Sequence, residues 1–251
     1  IRDSIWGYAM GEEENIEEQT EEQSANLEDK DQNSASADNL RVLENIDVRH
    51  IFHDPGIPLG PWRSVGHSQN AFITESFIDE LANLAGQDPY QFRRRLLREH
   101  QDYLKVLDLV AEKSNWGNAG QGLHQGVAIH KSFGTIVSQV VDLELVNDKP
   151  KLKRVTCAVD CGTAVNPDQV AAQIESSVVF GLTAALKGEI NIEGGAVKES
   201  NFHDYQMLRM DETPPIDVHI VDSNLPPTGV GEPGTPPIAP ALGNALFAAT
   251  G

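Results

Sequence analysis

Between residues 122 and 160 the chain changes its hydrophobic period, and this constrains the fold more than any other feature. VAIHKSF, TIVSQVVDLELV and KLKRVTCAVDCG each carry β-branched runs and alternation, the last two separated by NDKP. They read as an antiparallel hairpin joined to a further strand. Helical patterns surround them. Residues 69–85 place Phe77, Ile78, Leu81, Ala82, Leu84 and Ala85 in an apolar stripe that Gly86 ends. Asp88-Pro89 supplies an N-cap and a first-turn proline for a helix to about His100, and a third helix spans about Asp102 to Lys113 with Leu104, Leu107, Val110 and Ala111 on its buried side. Asn166-Pro167 opens a helix to about Leu186, with Val170, Ala171, Ile174, Val178, Leu182 and Ala185 on one face. LRVLENIDVRHIF, GEINI and DVHIV read as further short strands, and PALGNALFAAT as helix-like. No βαβ unit repeats, so the expected class is α+β, a mixed or antiparallel sheet layered with helices.

Charge narrows the partners. The chain has 251 residues, 38 carboxylates and 19 Lys plus Arg, a net of −19. Like charge would repel a phosphate backbone, which argues against nucleic acid. No run approaches the roughly 20 apolar residues of a membrane helix, and no segment resembles a signal peptide, so a soluble chain is expected. Residues 1–40 hold 12 carboxylates against Arg2 and Lys30, a net of −10, which leaves −9 for the rest. Their stretch EEENIEEQTEEQSANLEDKDQNSASAD lacks apolar periodicity and reads as a solvated, disordered insert. The expected division is an extended start with this acidic insertion over 1–40, then a domain over 41–251. Because the chain starts at Ile1 and stops at Gly251 after a helix-like stretch, it is expected to be a piece of a longer polypeptide.

Three segments have the composition of a site. In TGVGEPG, glycines 229, 231 and 234 allow positive φ and close approach to a ligand around one carboxylate, Glu232. Partial desolvation would raise that carboxyl and suit it to act as a base. The prolines that follow exclude a dinucleotide fingerprint. In GPWRSVGHSQNAF, a glycine-containing loop runs into a helix start with Arg63 beside it, an arrangement suited to an anion. In CAVDCGTAVNPDQVAAQIESS, Gln173 lies two turns into a helix, with an amide able to donate and accept toward a heterocycle edge.

These segments, in this order and spacing, resemble the C-terminal part of the molybdenum-binding large subunit of the xanthine oxidase family, in the branch of isoquinoline 1-oxidoreductase β-subunits and bacterial aldehyde dehydrogenases. The similarity covers about 40–251 and is most specific in AFITESFIDELANLAGQDPYQFRRRLL and GVGEPGTPPIAPALGNALFAATG. It implies a molybdenum-cofactor-binding-domain-like fold and a molybdenum–pterin cofactor in its cytosine dinucleotide form. Glu232 matches the glutamate beside the metal, the base in a reaction that adds water-derived oxygen to an electron-poor carbon of an aldehyde or N-heterocycle. Arg63, Ser64 and Gly66 match the family's Arg-Gly cofactor loop, with Ser where Gly is usual. Gln173 matches the cofactor-contacting glutamine, with Ser176 in place of a glycine, and Gly229 and Gly231 match the loop around Glu232. No metal ligand is implied here. Electrons would leave through iron–sulfur clusters on another domain or on a small subunit, with a cytochrome c subunit as a further partner. The fragment alone is expected not to bind cofactor or turn over, and its bacterial compartment, cytoplasm or periplasm, is open. The competing reading is a non-catalytic homologous domain used for assembly.

Several residues carry blander expectations. His50 and His53 fall on opposite faces of a strand and are not a metal pair. Cys157 and Cys161 read as buried, inert thiols. His67 reads as a structural residue, with a phosphate contact or a place at the substrate entrance as the functional alternative, Trp62 and Phe133 are core or rim aromatics, and FRRRLLREH is a solvated helix face.

Overall fold

The computed structural model describes Gly56 and residues 60–251. The acidic segment, the strands read at 40–52, and His50 and His53 lie outside the described residues.

The meander forms as β1 (His124–Ser132), β2 (Thr135–Val146) and β3 (Lys149–Asp160), paired antiparallel with Val127 opposite Val140 and Gln139 opposite Cys157. Both connections are two-residue turns in the left-handed region, Phe133-Gly134 (φ 53 and 80) and Asn147-Asp148 (φ 52 and 59). Such turns match the twist of the strands they join. The second turn takes only ND of NDKP, so β3 begins at Lys149.

Among the described residues three helices precede the sheet: α1 (Gly66–Leu84), α2 (Pro89–Leu96) and α3 (Gln101–Ser114). Asp88 caps α2 by accepting from the Gln91 N–H at 2.9 Å, and Asn115 ends α3 at φ 56. After β3 comes α4 (Pro167–Leu186), capped by Asn166 as its sequence predicts. Of GEINI only Ile192 enters a strand, opening the short β4 (Ile192–Glu193), which pairs with β5 (Ala196–Val197) across a turn at Gly194-Gly195. β6 (Ile216–Ile220) runs parallel to β3, giving a mixed sheet of order β1-β2-β3-β6, and α5 (Ile238–Thr250) follows.

The sheet separates two apolar layers. On one face Tyr103, Val106, Leu107 and Val110 of α3 meet Val127, Ile129, Ile136 and Val140. On the other, Ile174, Val178 and Leu182 of α4 and Ile238, Ala241 and Leu242 of α5 meet Val137, Val141, Val155, Cys157 and Val159. Gly126 permits the second contact, because a Cβ there would sit 2.1 Å from the Ala245 nitrogen.

Among the described residues β1 is an edge strand of the sheet, and buried side chains lie along its outer rim. The Ile129 N–H donates to Glu75 Oε2 of α1 at 3.0 Å, and Asn244 Nδ2 of α5 donates to the Val127 carbonyl at 2.9 Å. Arg93 of α2 neutralises the charge this brings inside, donating to Glu75 Oε2 at 2.9 Å and Asp79 Oδ1 at 2.8 Å. The run FRRRLLREH is therefore not wholly solvated: Arg93 is 2% exposed while Arg94, Arg95 and Arg98 face water. Among the described residues no helix is long and apolar enough to cross a membrane.

Candidate active site

The three candidate segments meet at one edge of the α4–α5 layer. The loop before α1 turns through two non-glycine residues of positive φ, Ser64 at 72° and Val65 at 42°. Positive φ costs an L-residue about 1–2 kcal/mol, and it explains why the family's glycine would suit position 64. The distortion aims Ser64 at the glutamate: its N–H donates to Glu232 Oε1 at 2.9 Å and its Oγ to the Glu232 carbonyl at 2.7 Å. Glu232 is half-buried, and its Oε2 has no partner among the described residues.

Arg63 ties the three segments together. Its Nε donates to the Gly231 carbonyl at 2.9 Å, Nη1 to Ser176 Oγ at 3.1 Å and Nη2 to Gln173 Oε1 at 3.3 Å, with Nη2 also reaching the Gly231 carbonyl. Of its five N–H groups this leaves one. Burial lowers the Arg63 pKa, opposed by the Glu232 charge. The loop is pinned from below as well: Thr135 Oγ1 donates to the Gly229 carbonyl at 2.7 Å, and Gln139 Nε2 to the Gly234 carbonyl at 2.8 Å.

The glycines do not take the left-handed backbone that their composition predicts. None of Gly229, Gly231 and Gly234 has positive φ. Gly234 packs against α4, where a Cβ would lie 2.8 Å from Ser177 Cβ, whereas a Cβ on Gly231 would meet nothing within 4 Å. Gly231 is thus the position where the backbone faces open space. Gly66 is the first residue of α1.

His67 neither lines an entrance nor faces solvent. It is buried, with Nδ1 at 3.0 Å from His130 Nε2 and its ring edge-on to the half-buried Phe133. Burial, reinforced by His67, holds the His130 pKa down to about 3, so its ring is neutral. Trp62 is a rim aromatic, 42% exposed, with its ring 4.8 Å from that of Phe180. Cys157 and Cys161 are buried free thiols, and burial pushes Cys157 far above the usual thiol range. A depression of about 300 Å³, lined by Ile190, Glu199, Phe202 and Tyr205 among others, contains none of these residues.

Residues 78–214, more than half of the chain, match the family described as "Molybdopterin cofactor-binding domain". The chain belongs to that family. It is 36% identical over 195 residues to isoquinoline 1-oxidoreductase subunit beta of Brevundimonas diminuta, covering 75% of this chain and 25% of that protein. Over 236 residues it is 31% identical to the membrane-bound aldehyde dehydrogenase (pyrroloquinoline-quinone) of Gluconacetobacter polyoxogenes, covering 84% and 30% respectively. The chain therefore spans between a quarter and a third of the length of these relatives. Its fold is that of quinoline 2-oxidoreductase from Pseudomonas putida 86, with a TM-score of 0.66 at 12% identity over 76% of this chain and 50% of that one.

The residues present fit the group that this molybdopterin cofactor-binding domain is named for. Arg63 keeps one N–H, the exposed Gln173 keeps its amide NH2, and Glu232 keeps Oε2, which gives two donors and one acceptor beside the open face of Gly231. The start of α1 has no side-chain cap and no acidic residue in its first turn, so its positive end is available to an anion. No group of three or more His, Cys, Asp or Glu is placed to hold a metal among the described residues. This donor set suits a polar heterocycle that brings its metal already ligated.

The supports on β2 were invisible to motif reading. Thr135 and Gln139 lie on the strand face that also carries Val137 and Val141. A glutamine amid inward-facing valines is the one signal that could have found Gln139.

Proposed function

We propose that the chain is part of a molybdenum hydroxylase that oxidises an aldehyde or an N-heterocycle. In this reading Arg63, Ser64, Gly66, Gln173, Gly229 and Gly231 cradle a molybdenum–pterin cofactor in its cytosine dinucleotide form, and Glu232 is the catalytic carboxylate. When bound, that group supplies two-electron redox chemistry and the transfer of a water-derived oxygen to an electron-poor carbon. Glu232 takes the proton released from that water at Oε2, while the Ser64 N–H on Oε1 fixes the direction in which the free oxygen points. Arg63 and Ser64 hold the loop rigid, so little reorganisation is required when charge moves.

The observation that carries this reading is the convergence of three sequence-distant segments on Glu232, joined by Arg63 and Ser64. Family membership and the printed names of the isoquinoline and aldehyde relatives support the substrate classes. The chain's two cysteines are both buried, so iron–sulfur clusters that receive the electrons would belong to another domain or to a small subunit, with a cytochrome c subunit as a further carrier.

The test is Glu232→Gln in the full-length subunit purified with its partners, assayed with aldehydes and N-heterocycles and an artificial electron acceptor. Molybdenum and pterin content should stay at the wild-type level while turnover falls by at least about 10²-fold, the usual contribution of a general base. Wild-type turnover in that variant would overturn the assignment.

A further inference from the structure

We infer that Gln139 is a positioning residue for Glu232, an inference that rests on the reading of Glu232 as the proton acceptor. Glu232 opens a tight turn, Glu232-Pro233-Gly234-Thr235, closed by the Thr235 N–H donating to the Glu232 carbonyl at 2.9 Å. Ser64 holds the first residue of this turn from the α1 side. Gln139 holds the third from the sheet side, donating from Nε2 to the Gly234 carbonyl at 2.8 Å. The carboxylate is thus clamped between a helix start and a central strand.

Gln139 is fully buried in β2, between the buried Val137 and Val141 on the same face, with β1 and β3 on either side. It has no freedom to follow the loop if the loop shifts. Its Oε1 has no hydrogen-bond partner among the described residues, and the residue opposite it in the β2–β3 register is the buried Cys157. A half-satisfied amide in an apolar layer costs stability that a leucine or methionine of similar volume would not. Such a breach of the local rule is expected where a site needs its supporting groups fixed. What the amide secures here is the height of the turn above the sheet. Gly234 completes the arrangement, because it lets the turn press onto Ser177 of α4.

The test uses the full-length, cofactor-loaded enzyme with its partner subunits and compares Gln139→Leu with wild type. Molybdenum and pterin content and KM should be unchanged, and kcat should fall by about 10²-fold, the scale of a small misplacement of a catalytic group. Amide hydrogen exchange in the peptide carrying residues 228–237 should accelerate, a readout independent of turnover. Where the leucine variant does not accumulate in folded form, Gln139→Met decides by the same measurements. A variant with wild-type kcat and wild-type exchange overturns the proposal, as does a loss confined to thermal stability. Glu232→Gln separates the two readings: if it still turns over, the function assignment falls and this proposal with it. If it is inactive while Gln139→Leu is unaffected, only the positioning role falls.

Discussion

Replacing Arg93 with methionine tests how the edge of the sheet is closed. The substitution keeps most of the aliphatic volume and removes four donated bonds, to Glu75 Oε2 at 2.9 Å, Asp79 Oδ1 at 2.8 Å, the Glu75 carbonyl at 2.7 Å and the Pro89 carbonyl at 3.2 Å. The three side chains are 2%, 3% and 6% exposed, so water cannot replace the lost partner. Leaving one member of a buried pair uncompensated costs about 3–5 kcal/mol. For a domain of this size each kcal/mol moves Tm by about 2–4 °C, so Arg93→Met should lower Tm by roughly 6–20 °C. The loss should also depend on pH. Burial already pushes the Asp79 carboxyl up, with Arg93 the main opposing influence. Without Arg93 the Asp79 carboxyl is pushed up further, so the folded state binds its proton before the unfolded state does, folding is favoured by acid, and the deficit should shrink as the pH is lowered from neutral toward the ordinary carboxylate range. Adding Glu75→Gln and Asp79→Asn should recover much of the loss. Thermal unfolding followed by circular dichroism across that range is the assay. A Tm within about 2 °C of wild type, or a deficit that does not change with pH, would refute the reasoning.

Two other outcomes follow from packing and titration. Gly126→Ala places a Cβ 2.1 Å from the Ala245 nitrogen and 2.3 Å from the Ala241 carbonyl oxygen; backbone must move, and denaturant unfolding should show a loss of about 3 kcal/mol or more. His130 is held at about 3 in the folded state against 6.5 as its ordinary value. The unfolded state therefore binds the proton first, and stability should fall by about 2 kcal/mol between about pH 7 and about pH 5; His130→Gln should flatten that part of the profile in equilibrium unfolding.

The meander was legible because its alternation is long and Asn147-Asp148 marks a turn with residues that tolerate the left-handed region. The α4 boundaries were legible because Asn166-Pro167 is a local cap. Other features were hidden because their causes are non-local. Helix α1 starts at Gly66, three residues earlier than periodicity predicts, since Ser64 and Val65 adopt positive φ to reach Glu232, 168 residues away. Arg93 reads as one of several solvated arginines, because the carboxylates that bury it lie 14 and 18 residues away on another helix. The glycines around Glu232 mark a candidate site in the sequence, but their packing could not be read there, because it depends on Ser177 beneath one and open space beside another. The meeting of Arg63, Gln173 and Glu232 could be expected from the family resemblance, whereas the supports from Thr135 and Gln139 required the sheet.

Metal and pterin analysis of the full-length protein, purified with its partner subunits, bears most directly on the proposed function. The account predicts about one molybdenum and one pterin per chain, lost together when the loop carrying Arg63 and Ser64 is disrupted. Purified, folded protein that carries neither, or that carries a quinone cofactor in their place, would contradict it.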